Sequence, residues 1–146
     1  MENYDYIKKV PLFEGLQPRH LKALAKACTT RKYEAGDTIV RQGNPGVGLF
    51  IIVSGKVKIE KRADDGSTMN LATHGPGEVV GEMSVLDGAA RTADVVAVEA
   101  TDCLVLASWA FNSFLKSHPK VALLILPVVV SRFRETNEAL IRHKNP

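Results

Sequence analysis

The spacing of apolar residues changes twice along the chain. Leu21, Leu24 and Ala25 return at helical intervals between residues 18 and 27, which predicts a helix with one buried face and Cys28 beside it as a small hydrophobe. A shorter helix is expected over 5–12, stopped at or just before Pro11, with residues 12–16 as an apolar elbow. From Thr30 the period becomes two. Residues 56–61 alternate without a fault, Val57 and Ile59 facing inward and Lys56, Lys58 and Glu60 facing water. Further strands are predicted at 38–41, 48–53, 68–73, 91–98 and 103–107, with Asp64-Asp65-Gly66-Ser67 closing a hairpin. Short strands with frequent turn signals point to a sandwich or barrel, since a parallel sheet would need helical crossovers between them.

After residue 108 the helical period returns. Residues 109–117 read as a helix with Ser108 as its N-cap and Trp109, Phe111, Phe114 and Leu115 supplying apolar contacts, and Pro119 suits the first turn of the next helix. That next helix is apolar nearly all round over 121–130, more than one small barrel can cover, and a homodimer is expected to bury part of it. Pro127 costs ~3 kcal/mol in a helix interior, so a kink is expected there, or a division into 119–126 and 128–140.

At 146 residues the chain suits one domain, 1–146, with a barrel over about 30–108 and C-terminal helices over about 109–143. The fold class expected is mainly β with flanking helices. A formal net charge of +3, much of it on Arg132, Arg134, Arg142 and Lys144, neither demands a nucleic acid nor forbids an anionic ligand. Two cysteines and four scattered histidines offer no metal-ligand spacing, so no metal or cofactor is expected. The acidic, aromatic start is unlike a secretory signal, and the apolar run at 121–130 falls short of the ~20 residues that cross a bilayer; a cytoplasmic protein without membrane contact follows.

Candidate chemistry gathers in residues 75–93. Gly81 precedes a segment long enough for one or two helical turns, which Glu82 opens and whose first amides lack intrahelical partners. Arg91 follows the Asp87-Gly88 turn. A guanidinium grips phosphate through two donors and a carboxylate accepts from sugar hydroxyls, so the pair describes a sugar-phosphate pocket. Gly81-Glu82, the short helix and Arg91-Thr92-Ala93 resemble the phosphate-binding cassette of cyclic-nucleotide-binding domains. The similarity runs over about residues 12–140 and includes turn glycines at 36, 43, 55, 77, 81 and 88. It sharpens the expected fold to a jelly-roll barrel with a long C-terminal helix, closest to the sensor domain of catabolite-activator-type bacterial regulators.

The resemblance implies roles. Arg91 would hold the cyclic phosphate, Glu82 the ribose 2′-hydroxyl, and Gly81, Met83, Ser84 and Thr92 the remainder of the cradle. Val40, Val57, Ile59, Leu71, Ala72 and His74 match strand positions that line the pocket. Arg132, Thr136 and Asn137 match helix positions that face the base. The implied function is a non-enzymatic cyclic-nucleotide sensor, for cAMP in preference to cGMP, that signals through its last helix to a separate effector protein. A helix-turn-helix, which follows this helix in the regulators, is not found before residue 146, so no direct DNA contact is expected of this chain. The alternatives are a ligand-independent jelly-roll dimerisation protein and the regulatory fragment of a larger transcription regulator.

Overall fold

A computed structural model describes residues 2–144, the side chains of His143 and Lys144 excepted; Met1, Asn145 and Pro146, with their share of the termini discussed above, lie outside the described residues. Strand alternation decides how the layers stack. β3 (Gly48–Ser54) buries Leu49 and Ile51 against helices on one face and Phe50 and Ile52 against a second sheet on the other. A strand covered on both faces reads as a continuous apolar run, which is how this one appears in the sequence. β8 (Thr101–Ala107) repeats the device, with Leu104 and Leu106 toward the helices and Cys103 and Val105 toward the second sheet.

Two four-stranded antiparallel sheets result. The first runs in the order β1 (Thr29–Tyr33), β8, β3, β6 (Val79–Val80); the second runs β2 (Thr38–Val40), β7 (Asp94–Ala97), β4 (Val57–Arg62), β5 (Thr68–His74). This is the jelly-roll architecture expected, flanked by helices. β4 sets Ile59 opposite Val95 on one side and Ala72 on the other. Two strands carried no usable sequence signal. β1 is polar and mostly exposed, held by its ladder to β8, and β6 is only two residues long. β7 is shorter than predicted because residues 91–93 leave the ladder: Arg91 N–H donates to the Asn44 carbonyl and its own carbonyl accepts from Gly43 N–H, both at 2.8 Å.

The helices lie on the outer face of the first sheet. α1 (Asn3–Ile7) and a 3-10 turn (Pro11–Phe13) replace the single helix expected over 5–12, and α2 (Pro18–Ala27) forms as predicted. α4 (Ser108–Ser117) begins one residue early, with Ala107 as N-cap. β8 runs straight into the helix, so Ser108 donates its N–H to the Val47 carbonyl and its hydroxyl is buried without a partner. Phe111 is fully buried as expected, but Trp109 stands 77% exposed. α5 (Val121–Lys144) passes Pro127 undivided. The carbonyl freed by the missing N–H belongs to Leu123, itself 68% exposed, where water can take the bond. Val121, Ile125 and Val129 face the core; Leu126, Val130, Phe133 and Leu140 do not.

Candidate functional site

β6 leads into Gly81, whose φ of 76° is a left-handed conformation that L side chains rarely adopt. A Cβ there would also overlap the Arg91 guanidinium, so the glycine lets the two segments close on each other. The short helix α3 (Ser84–Asp87) starts two residues later than expected, with Met83 as N-cap, and Gly88 ends it in a left-handed conformation. Glu82 therefore stands before the helix and turns inward. Its Oε1 accepts the Leu12 N–H at 2.5 Å and its Oε2 accepts Arg132 Nη1–H at 2.8 Å. One carboxylate thus ties the 3-10 turn and α5 to the same point.

Arg91 is 8% exposed and donates through Nη2 to the Gly48 carbonyl. Among the described residues no carboxylate forms an ion pair with it. Burial pulls its pKa below the ordinary arginine value, yet a guanidinium keeps its charge at neutral pH. A buried charge without a counter-ion is costly, several kcal/mol after relaxation by general estimate. This guanidinium is accordingly a place where an anion would bind well.

It lies in a pocket of about 340 Å³, a size that suits a small organic ligand. Gly81, Glu82, Met83, Ser84, Arg91 and Thr92 line it on the cassette side, and Val40 and Ile59 on the barrel side. The remaining wall is Val79, Val80, Ala90, Ala93 and Val95. Of these five the sequence marked only Ala93, as part of the cassette motif, and gave it no role in the pocket. Val95 could have been added, since it follows Arg91 and Ala93 at every second position; β6 offered no such handle.

Other sequence-predicted positions lie elsewhere. Val57 is fully buried between the sheets. Leu71, Ala72 and His74 sit on β5 at the edge of the second sheet, with Leu71 51% exposed and His74 Nδ1 paired with Glu78. Arg132 reaches the site through Glu82 from a side chain 34% exposed. Thr136 donates its hydroxyl to the Arg132 carbonyl one turn back at 3.0 Å, and Asn137 is exposed. No group of three or more His, Cys, Asp or Glu among the described residues is arranged to hold a metal ion. Nor is any helix among them long and apolar enough to cross a membrane.

The two-sheet barrel thus brings a buried arginine and an inward carboxylate into one pocket. The chain belongs to the cyclic nucleotide-binding domain family, whose model matches residues 30–118. It is 32% identical over 136 residues to a CRP-like cAMP-activated global transcriptional regulator of Mycobacterium tuberculosis, covering 93% of this chain and 61% of that protein. It is 36% identical over 131 residues to the cyclic AMP receptor protein of Thermus thermophilus, covering 90% of this chain and again 61% of the relative. The N-terminal domain of a transcriptional regulator from Streptomyces coelicolor A3(2) superposes with a TM-score of 0.82 at 33% identity, over 92% of this chain and 96% of that one.

Proposed function

We propose that the chain is a non-enzymatic cyclic-nucleotide sensor, with cAMP as its ligand in preference to cGMP, acting in the cytoplasm. The observation that carries this is Arg91: a buried guanidinium without a carboxylate partner among the described residues, in a pocket that also holds Glu82. A cyclic phosphate supplies the missing counter-charge and can take two parallel hydrogen bonds. Glu82, already an acceptor for two donors, can accept from a ribose 2′-hydroxyl. The valines and alanines opposite leave an apolar wall for a base. Two similar curated proteins are named for cAMP, which supports the preference for adenine.

Signal output follows from what Glu82 touches. Its bonds to Leu12 and Arg132 mean that a ligand competing for its oxygens changes the attachment of both the 3-10 turn and α5. α5 is also the surface for a second copy. Leu126, Val130, Phe133, Asn137 and Leu140 recur at alternating intervals of four and three along its exposed side, the repeat of a two-stranded coiled coil. Asn137 occupies one position of that seam, where a single polar residue fixes register. The dimer then transmits the state of α5 to a separate effector protein, without direct DNA contact by residues 2–144.

The test is a comparison of two ligands on two proteins. Calorimetry of cAMP and 2′-deoxy-cAMP against wild type and Glu82→Gln should show the substitution weakening cAMP by about tenfold and the deoxy ligand far less. Equal losses for both ligands, or no binding of cAMP to the wild type, would overturn the assignment.

A further inference from the structure

A second cavity, about 540 Å³, opens where α2 meets the turn between α4 and α5, and it shares no lining residue with the pocket around Arg91. Arg19 and His20 come from α2, His118 from the end of α4 and Lys120 from the turn, while Leu123 and Leu124 of α5 form an apolar wall. No carboxylate is among the described residues that line it. His20 is 9% exposed, and its Nδ1 is buried with no hydrogen-bond partner. Its ring meets those of His118 and Phe114 edge-on, at 5.8 and 6.1 Å between centroids.

Four basic side chains, Arg19, His20, His118 and Lys120, converge here, and no carboxylate in the described lining balances them. We propose that this cavity binds a small organic anion with an apolar body, its head among Arg19, His20, His118 and Lys120 and its body against Leu123 and Leu124. The occupant would rest on the first turns of α5, so the root of the output helix carries a second ligand site.

Proton linkage gives the site a signature. Burial first, then the positive charges of Arg19 and His118, hold the His20 pKa below its ordinary 6.5. The titratable groups that line the cavity with His20 are Arg19 on its own helix, His118 at the C-cap of α4 and Lys120 in the turn; residues 121–124 of α5 carry no titratable side chain. An anion reverses this balance by stabilising a protonated imidazole. Binding therefore takes up a proton, and affinity rises as pH falls.

Benzoate is the probe, because its charge is constant across the range, with acetate as a head-only control. The ring-proton NMR signals of His20 and His118 should shift saturably with benzoate, and affinity should be about threefold or more tighter at about pH 6 than at about pH 7.5. Acetate should bind at least about fivefold more weakly. Arg19 and Lys120 are both exposed, so an Arg19→Gln/Lys120→Gln variant leaves the core intact and should lose about tenfold in affinity. The proposal is overturned by silent imidazole signals at high benzoate concentration, by acetate matching benzoate, or by the double variant binding like wild type.

Discussion

Gly81→Ala probes the contact on which the pocket closes, and Gly77→Ala is its control. Both glycines have left-handed φ, 76° and 87°, so an alanine at either costs about 1–2 kcal/mol of backbone strain. The surroundings differ. Nothing lies within 4 Å of a Cβ at position 77, whereas at 81 it overlaps the Arg91 guanidinium. In Gly81→Ala the guanidinium must leave the Gly48 carbonyl, a hydrogen bond to a charged group worth about 1.5–3 kcal/mol. At about 2–4 °C per kcal/mol, Gly77→Ala should lower Tm by roughly 2–8 °C and Gly81→Ala by roughly 3–12 °C more. If Arg91 holds the phosphate as proposed, calorimetry should show cAMP affinity unchanged in Gly77→Ala and reduced about 30-fold or more in Gly81→Ala, where the guanidinium has moved. Equal melting shifts, with Gly81→Ala affinity within about twofold of wild type, would refute the interlock.

Other consequences follow from α5 and from His20. Val130→Glu places a carboxylate in the exposed seam and should turn a dimer into a monomer in sedimentation runs at tens of micromolar, with the melting temperature nearly unchanged; a wild type that is monomeric with and without cAMP would remove the dimer. His20 is held below its ordinary pKa in the folded chain, so as pH falls the unfolded chain takes up its proton first. Its contribution is constant well above 6.5 and is lost as pH drops from there toward the lower folded value. Denaturant midpoints should therefore fall on acidification more steeply for wild type than for His20→Gln, and parallel curves would contradict this.

Sequence patterning exposed much of the fold because most strands have one face or both in a core. Residues 48–53 and 56–61 show the two cases, an unbroken apolar run and a clean alternation. β1 was invisible for the converse reason: Thr29-Thr30-Arg31-Lys32-Tyr33 buries little side chain and owes its conformation to backbone pairing with β8. The cassette was legible through Gly81, Glu82 and Arg91, residues whose types the local chemistry demands. The Glu82–Arg132 pair was not, since 50 residues separate its members and only tertiary packing brings them together. Val57 and His74 show the limit of strand position as a guide: the same sheet places Val57 in the intersheet core and His74 beside Glu78 at its edge.

The central claim is that Arg91 is the phosphate partner of a cyclic nucleotide. Isothermal titration of wild type, Arg91→Lys and Arg91→Ala with cAMP and cGMP tests it most directly. Saturable binding of cAMP to the wild type, tighter than cGMP, is predicted, with a loss of about 2–4 kcal/mol in Arg91→Ala and a smaller loss in Arg91→Lys, which keeps the charge without the rigid fork. Arg91→Ala binding cAMP within about twofold of a wild type that binds it well would contradict the claim.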